Sequence, residues 1–321
     1  MIGKAGDPET EDDELYEVAE TDGLDPGDID ESAGQVPPDG DEVTLRPNTL
    51  ISENGIFEFR NRNRAQTVVL IGEQKTGKTT LMAALYGLFC KGPVGGLEFV
   101  GSHTLYSFAE RNHLAMVRPD RAAPTTPRTS IAEAVGYFHL KVRNGENASD
   151  VIVSDRSGET FEAARVDTSL MDRLTELALA DRVCFLLDAA RLTNIAARHG
   201  YRRIFKQTIR ALVDNDVIPK TAVIEVLVTK IDRVSREREG RDLSAEVAEY
   251  EAELTREFGD AGYTFNVYRI CALPRAAVKI GFLGIEELVG RWASTPADAD
   301  IAPKPVDNAL RSIDRLPNFW S

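Results

Sequence analysis

Cysteines are few and long hydrophobic runs are missing from this 321-residue chain. The three cysteines, Cys90, Cys184 and Cys271, have no metal-ligand spacing and lie in apolar or strand-like contexts, which predicts reduced core residues. No run approaches the roughly 18 apolar residues of a membrane helix, and the acidic N-terminus lacks the basic and apolar regions of a signal peptide. We therefore expect a cytoplasmic protein without a membrane partner.

Basic residues are almost absent from the first part of the chain. Residues 1–45 contain 16 Asp and Glu but a single Lys, whereas the remainder contains 36 acids and 37 bases. Such an acidic segment cannot bury enough apolar surface to order itself, so we predict a disordered arm that serves as a solubilising tail or a docking arm. The near-neutral remainder lacks the basic surface of a nucleic-acid binder. A main domain is predicted over residues 49–295, and a tail or packed extension over residues 296–321.

A glycine-rich loop follows an apolar, β-branched strand at Thr67–Ile71. The loop Gly72–Thr79 reads GEQKTGKT and matches the P-loop pattern G-x-x-x-x-G-K-[ST], and the helix formers Leu81–Leu88 follow it. In such a loop, backbone N–H groups and the start of a helix surround a phosphate. Lys78 is predicted to reach the terminal phosphates, and the Thr79 hydroxyl to bind Mg²⁺. The predicted nucleotide-binding residues here are Gly72, Glu73, Gln74, Lys75, Thr76, Gly77, Lys78, Thr79 and Thr80.

Strands and helices alternate along most of the chain, which predicts an α/β fold with a mostly parallel sheet covered on both faces. The segment Phe99–Ser130 has no clear periodicity and is predicted to be irregular. The other predicted strands are Ile56–Phe59, Tyr137–Val142, Val151–Ser154, Arg182–Asp188, Ala222–Thr229 and Phe265–Cys271. The other predicted helices are Thr160–Leu179, Leu192–Val213, Leu243–Phe258 and Gly284–Ala293.

Ligands of parallel sheets bind beyond the carboxyl ends of the strands, so the residues that follow each strand are candidate site residues. Asp155-Arg156-Ser157-Gly158 follows one strand as a D-x-x-G sequence. Asp155 is suited to hold Mg²⁺ through water, and the Gly158 N–H to contact a γ-phosphate. The alternative is an ordinary turn.

A second sequence, Thr229-Lys230-Ile231-Asp232, follows a later strand and fits [NT]-K-x-D. The Asp232 carboxylate is suited to accept the N1–H and 2-amino hydrogens of guanine, a pair of donors that adenine lacks. Lys230 would lie along the base and support the loop. After the final strand, a backbone N–H of Cys271, Ala272 or Leu273 is placed to contact the guanine oxygen. For Asp232 the alternative is a charged helix cap.

The three motifs, in this order and at strand ends, resemble the Ras-like and translation-factor (TRAFAC) superclass of P-loop GTPases over residues 55–293. The resemblance implies a six-stranded, mostly parallel sheet with one antiparallel edge strand and helices on both faces. It also implies that the protein binds GTP or GDP with Mg²⁺.

Three shorter sequences are similar to those of a narrower group, the bacterial double-GTPase family of multi-component conflict systems. They are Gly101–Thr104 (G-S-x-T), Pro127–Thr129 (P-R-T) and Asp155–Glu159 (D-x-S-G-E). This resemblance implies protein partners, namely a second GTPase and an activating or effector protein.

The superclass also requires a threonine on Mg²⁺ before the antiparallel strand, for which Thr129 is favoured, then Thr126, with Thr125 a further candidate. Arg128 beside them is either a catalytic cation in cis or a surface arginine. Glu159 occupies the position where many Ras-like enzymes have a water-orienting Gln. It either acts as a base or leaves hydrolysis slow until a partner helps, and we predict slow intrinsic turnover.

One predicted helix carries a basic face, because Arg198, Arg202, Lys206 and Arg210 are spaced by four residues. This face is either solvated or a dock for the acidic arm or an acidic partner. The leading functional prediction is a GTP-hydrolysing molecular switch. The alternatives are an ATP-dependent P-loop NTPase, in which Asp155 is the Walker-B acid, and an adaptor that binds nucleotide without turnover.

Overall fold

The structure is a computed structural model that describes residues 50–115, 135–234, 241–273 and 282–294. The chain divides into Met1–Leu45 and Arg46–Ser321, and all described residues belong to the second unit. The strands are β1 (Ile51–Ser52), β2 (Ala65–Ile71), β3 (Glu98–Gly101), β4 (Gly136–Asn144), β5 (Asn147–Asp155), β6 (Arg182–Asp188), β7 (Val223–Thr229) and β8 (Thr264–Arg269). The α-helices are α1 (Glu53–Arg62), α2 (Lys78–Phe89), α3 (Leu105–Ala115), α4 (Gly158–Val166), α5 (Thr175–Ala178), α6 (Ala189–Leu192), α7 (Arg198–Asp214), α8 (Leu243–Phe258) and α9 (Ile285–Ala293). Short 3-10 helices span Thr168–Arg173 and Ile231–Arg233.

Within the described ranges, the strands form one eight-stranded sheet in the order β1-β4-β5-β2-β6-β7-β8, with β3 also paired to β4. Strands β5, β2, β6, β7 and β8 run parallel, and β4 runs antiparallel to β5. The predicted α/β sheet with one antiparallel strand beside parallel ones is confirmed. The short strands β1 and β3 pair with the other side of β4. The sheet therefore extends beyond the six predicted strands, and β4 is not its edge.

Alternate residues of the central strands face opposite layers of helices. In β2, Val69 and Ile71 belong to one apolar cluster, whereas Val68 and Leu70 belong to another. The first cluster includes residues of α4, α5, α7 and α8, and the second includes residues of α2, α3 and α9. Helices thus cover both faces, as predicted, and the loops at the carboxyl ends of the parallel strands are left to form a site.

The predicted strand Ile56–Phe59 is wrong, because these residues lie within α1. Ser52 begins that helix, and its Oγ accepts a hydrogen bond from the Gly55 N–H at 3.2 Å. Ile56 is buried and Phe59, three residues later, packs against the same apolar cluster, whereas Phe57 is 48% exposed, which is the spacing of one face of a helix. The N-cap serine was the signal for a helix.

Two predicted helices are each divided where a polar side chain accepts a backbone hydrogen bond. Thr160–Leu179 comprises most of α4, a 3-10 helix and α5, because the Asp167 carboxylate accepts a backbone hydrogen bond and starts the 3-10 helix. Leu192–Val213 comprises the end of α6 and most of α7. Between these two helices, Asn194 Oδ1 accepts a hydrogen bond from the Ala196 N–H at 3.0 Å. Both interruptions follow from side chains that compete for backbone N–H groups.

The segment Phe99–Ser130, predicted to be irregular, contains most of β3 and all of α3 in its described part. Phe108 of α3 is buried in the second apolar cluster, and Asn112 Nδ2 donates to the Ala83 carbonyl of α2 at 2.8 Å. Polar residues interrupt the apolar period of α3, so its helical character depends on this packing against α2. Residues 116–134 lie outside the described residues.

The basic face of α7 is paired with α8. Arg198 lies 3.2 Å from Glu246, and Lys206 lies 2.8 Å from Glu257. Arg210 also contacts Glu257, at 2.5 Å. Carboxylates of α8 therefore pair with much of this basic face, and docking of an acidic arm or partner stays a prediction.

The cysteines are free thiols, and Cys184 and Cys271 are buried, as predicted. Cys90, at the end of α2, is exposed, so its prediction as a core residue is wrong. Among the helices of the described ranges, none is long and apolar enough to cross a bilayer.

Candidate nucleotide-binding site

The loops at the carboxyl ends of β2, β5, β7 and β8 surround a cavity of about 400 Å³. Its lining includes Glu73, Gln74, Lys75, Thr76, Gly77, Lys78, Thr79, Thr80, Gly158, Thr229, Lys230, Asp232, Cys271, Ala272 and Leu273. These are all the predicted nucleotide-binding residues except Gly72, which lies at the base of the loop. Four lining residues were not predicted: Leu81, Ser157, Arg233 and Ile270. The fold thus brings residues of four distant segments into one cavity.

The P-loop between β2 and α2 is shaped by left-handed backbone angles, with φ of 63° at Lys75 and 107° at Gly77. Such angles turn N–H groups toward a common side of the loop. Gly72 is required because a Cβ there would lie 2.6 Å from Thr76 Oγ1. The Thr76 hydroxyl in turn donates to the Glu73 carbonyl at 2.9 Å. The loop is therefore a preformed anion-binding turn at the start of a helix.

The Lys78 side chain lies across the P-loop. Its Nζ donates to the carbonyl oxygens of Gly72 and Glu73, the latter at 3.2 Å. Burial lowers the pKa of Lys78 from 10.5 to about 8, and this shift is opposed by nearby carboxylates, first that of Asp155. The ammonium group is therefore still mostly charged at pH 7, and it can exchange loop carbonyls for phosphate oxygens.

The D-x-x-G turn after β5 packs against the P-loop backbone. A Cβ on Gly158 would lie 2.5 Å from the Gly72 carbonyl oxygen and 2.9 Å from the Glu73 carbonyl carbon, so glycine is needed for this approach. Asp155, the last residue of β5, is buried, and its Oδ2 lies 3.5 Å from Arg111 Nη2 of α3. The turn brings a carboxylate and a backbone N–H close to the P-loop.

Lys230 links the [NT]-K-x-D loop to the P-loop. Its backbone is left-handed, with φ of 57°, and its Nζ donates to the Lys75 carbonyl and to Asp188 Oδ2, both at 2.6 Å. Asp188 was not predicted as a site residue. The signal for it was its position at the carboxyl end of the buried strand β6, beside the end of β7. Thr229 adds a second link, because its hydroxyl donates to the Thr76 carbonyl at 2.8 Å.

The Asp232 carboxylate is almost completely buried, with 4% of the residue exposed, and it lines the cavity. Cys271 Sγ lies 3.4 Å from Asp232 Oδ1 and donates to it. Burial and the nearby carboxylate raise the pKa of Cys271 to about 12, so the thiol stays protonated and keeps its donor. This contact fixes the carboxylate from one side.

Glu159 lies in the first turn of α4 and accepts a hydrogen bond from Gln74 Nε2 of the P-loop. Glu73 is likewise held by a partner, since its carboxylate lies 2.5 Å from Arg191 Nη1. Gln74 lines the cavity and Glu159 does not. The residue predicted to act on the attacking water is thus tied to the P-loop by an amide.

The residues present fit a nucleotide with Mg²⁺. Glycines sit at two positions of close approach, Gly72 and Gly158, and they keep the loop clear of side chains. The Thr79 hydroxyl and the Asp155 carboxylate are hard oxygen donors of the kind that Mg²⁺ binds together with phosphates. In the described ranges, no group of three or more His, Cys, Asp or Glu side chains forms a metal site by itself.

Comparison with known proteins identifies the family. The chain matches the family model described as Double-GTPase 2 over residues 66–293. This protein belongs to the Double-GTPase 2 family. The predicted resemblance to P-loop GTPases, and to double-GTPases in particular, is confirmed. A search of curated proteins found no match.

Solved structures similar to this Double-GTPase 2 protein include three that contain a guanine nucleotide or its analogue. Translation elongation factor SelB from Methanococcus maripaludis, in complex with the GTP analogue GppNHp, is 14% identical with a TM-score of 0.37, and the match covers 72% of this chain and 35% of that chain. The signal recognition particle receptor SRb–GTP/SRX complex from Chaetomium thermophilum is 15% identical with a TM-score of 0.39, and the match covers 71% of this chain and 96% of that chain. Roco2 RocCORdC from Methanosarcina barkeri, bound to GDP, is 14% identical with a TM-score of 0.34, covering 71% and 47%. This chain therefore spans about a third of the elongation factor and about half of the Roco2 chain.

Three predicted site residues of this Double-GTPase 2 protein cannot be compared with the geometry. Thr126 and Thr129, predicted as magnesium ligands, and Arg128, predicted as a cation in cis, lie outside the described residues. The same is true of the alternative Thr125. Their roles stay predictions.

Proposed function

We propose that this protein binds GTP and GDP together with Mg²⁺ and hydrolyses GTP as a molecular switch. The observation that carries the proposal is the buried Asp232 carboxylate, which lines the same cavity as the P-loop. A carboxylate there accepts the two hydrogen-bond donors on one edge of guanine, whereas adenine offers no such pair of donors to a carboxylate that is shielded from water. Lys230 supports the base, and the backbone of residues 271–273 faces its oxygen.

In this proposal the P-loop holds the nucleotide phosphates. The N–H groups of residues 73–80 donate to the phosphate oxygens, and Lys78 moves from the loop carbonyls to the terminal phosphates. Thr79 and Asp155 hold Mg²⁺, the latter through water, and Thr129 or Thr126 completes the set. The metal ion, when bound, neutralises charge on the β- and γ-phosphate oxygens.

Hydrolysis is proposed to be slow without a partner. The Glu159 carboxylate follows the Gly158 N–H that contacts the γ-phosphate, so its negative charge opposes the charge of the substrate. The hydrogen bond from Gln74 holds that carboxylate in place. Lys78 and, in cis, Arg128 supply the positive charge that stabilises the transferring phosphoryl group. An activating partner would then supply the group that orients the attacking water.

The switch consists of the segments Phe99–Ser130 and Asp155–Ala164, which γ-phosphate contacts order and hydrolysis releases. We propose that a second GTPase and an activating or effector protein read this change, in the cytoplasm and within a bacterial conflict system. The family description supports the pairing of two GTPases. Copurification of a tagged full chain with a second GTPase in the presence of a non-hydrolysable GTP analogue, and its loss with GDP, would test this pairing.

Equilibrium competition tests the base specificity. Fluorescent GDP bound to the full chain should be displaced by GTP and not by the same concentration of ATP. Asp232→Ala should abolish that preference. Equal displacement by ATP would favour the alternative of an ATP-dependent P-loop NTPase. The Gln74–Glu159 hydrogen bond also supports a second alternative, an adaptor that keeps its nucleotide. Tight GTP binding with no phosphate release, even with partners added, would favour that adaptor.

A further inference from the structure

Helix α3 places a cation on the carboxylate that is proposed to hold Mg²⁺. Arg111 Nη2 lies 3.5 Å from Asp155 Oδ2, and the two side chains are 18% and 7% exposed. A carboxylate this buried needs a counter-ion, because its desolvation is otherwise too costly. The Lys78 ammonium lies near Asp155, and the guanidinium of Arg111 adds a second cation from a helix outside the P-loop, the D-x-x-G turn and the [NT]-K-x-D loop.

The position of Arg111 is fixed by the packing of its helix. The neighbouring Asn112 donates from Nδ2 to the Ala83 carbonyl of α2 at 2.8 Å. Gly87 of α2 allows this approach, since a Cβ there would lie 2.6 Å from Asn112 Nδ2. Helix α3 is therefore held on the helix that begins at the P-loop.

The start of α3 is tied to β4 as well. The Ser102 hydroxyl donates to the His139 carbonyl at 2.5 Å, and the His139 N–H donates to Thr104 Oγ1 at 2.9 Å. These contacts fix the loop between β3 and α3 at the strand that pairs with β5. Both the beginning and the middle of α3 are thus held where Arg111 reaches Asp155.

A guanidinium and a hydrated Mg²⁺ compete for one carboxylate. Mg²⁺ keeps several of its waters and binds such a carboxylate through them, whereas Arg111 offers hydrogen bonds directly. Two cations near the same oxygens repel each other strongly in a partly buried site. Full interaction of Asp155 with one cation therefore weakens its interaction with the other.

We propose that Arg111 is a resident counter-ion of Asp155 and that Mg²⁺ displaces it when nucleotide binds. Arg111 is thus a positioning residue, and α3 loses its contact with β5 when the metal site fills. Metal binding is in this way coupled to the position of α3, which lies in the segment proposed as a switch. The inference rests on the proposed function, because it requires Mg²⁺ at Asp155.

The test is a Mg²⁺ titration of the full chain with fluorescent GDP, with free Mg²⁺ set by a chelator buffer. In Arg111→Gln, the Mg²⁺ concentration at the midpoint should fall about tenfold, because the competing charged hydrogen bond is gone. Arg111→Lys keeps the charge, so its midpoint Mg²⁺ concentration should lie between those of Arg111→Gln and the wild type. Arg143→Gln is the matched control, since Arg143 pairs with the exposed Glu98 at 2.6 Å and should leave the midpoint unchanged.

Hydrogen exchange gives a second readout that does not depend on hydrolysis. In the wild type with GDP bound, the amides of α3 should exchange faster once Mg²⁺ is added, because the contact of Arg111 with Asp155 is lost. In Arg111→Gln, adding Mg²⁺ should leave the exchange of α3 unchanged.

The outcomes separate the inference from the proposed function. Equal midpoints in the wild type and Arg111→Gln would overturn the inference and leave the proposed function standing. Weaker GDP binding by Arg111→Gln in the absence of Mg²⁺ would also overturn it, because Arg111 would then bind the nucleotide itself. A wild-type protein that binds no guanine nucleotide, or binds it without regard to Mg²⁺, would overturn both.

Discussion

The substitution Asp232→Asn should change the base that this protein prefers. Asp232 offers two acceptor oxygens to the donors of guanine, whereas Asn offers one acceptor and one donor. The residue is 4% exposed, so water cannot repair the mismatch. Xanthine carries a carbonyl where guanine carries its 2-amino group, and it therefore matches the amide. The prediction is lower affinity for GTP and higher affinity for XTP.

The size of this effect follows from the hydrogen bonds involved. A hydrogen bond to a charged group contributes about 1.5–3 kcal/mol. With guanine, the variant loses one such hydrogen bond, and its amide NH₂ group faces a donor of the base. A loss of about 3 kcal/mol corresponds to about two orders of magnitude in GTP affinity. The isosteric amide can still accept the Cys271 thiol at the position of Oδ1, so the loop should keep its structure.

The assay is displacement of fluorescent GDP or a fluorescent xanthine nucleotide by GTP, XTP and ATP, with wild type and variant side by side. Asp260→Asn serves as the matched control, because Asp260 is exposed beyond the end of α8 and away from the cavity lining. It should leave every affinity unchanged. An Asp232→Asn protein that keeps the wild-type ratio of GTP to XTP affinity would refute the assignment of Asp232 to the base.

Three further predictions concern the phosphate end of the cavity. Burial lowers the pKa of Lys78 to about 8, so its charge destabilises the nucleotide-free protein at pH 7, and this cost disappears as the pH rises from about 8 toward 10.5. The Lys78→Met variant should therefore have a free energy of unfolding higher than that of the wild type, by an amount on the order of 1–3 kcal/mol at pH 7. Thermal unfolding without nucleotide should show this difference shrinking as the pH rises through the same window. Gly158→Ala should lower nucleotide affinity at least tenfold by pushing the P-loop backbone, whereas Gly200→Ala in α7, where a Cβ meets no atom within 4 Å, should leave affinity intact. Glu159→Gln should raise single-turnover GTP hydrolysis about tenfold, because a neutral amide removes charge repulsion and can orient water; a slower variant would instead show that the carboxylate acts as a base.

The sequence was most informative where a role depends on neighbours along the chain. The P-loop is a local structure, and its glycines and Lys78 could be recognised from eight consecutive residues. The alternation of strands and helices placed Asp155 and Asp232 at strand ends, and parallel strands bring their carboxyl ends to one edge of the sheet. This reasoning needs the order of the motifs and not the contacts between them.

Roles that depend on distant contacts could not be predicted in this way. Asp188 holds Lys230 across two adjacent strands, and its position at the end of β6 indicates a site residue but not this partner. Arg111 reaches Asp155 because α3 packs on α2, in a segment whose apolar pattern is too weak to predict a helix. The helix α1 was missed for the opposite reason, since its start is marked by a local cap at Ser52 that an apolar run obscured.

The central claim is that this chain is a guanine-specific nucleotide hydrolase with slow intrinsic turnover. Its most direct test is single-turnover phosphate release by the purified full chain, with GTP and ATP measured in parallel in the presence of Mg²⁺. The account predicts release from GTP far more slowly than the 1–100 per second or so that is typical of kinases, with no detectable release from ATP. Release from ATP at the same rate, or rapid unaided release from GTP at tens per second, would contradict it.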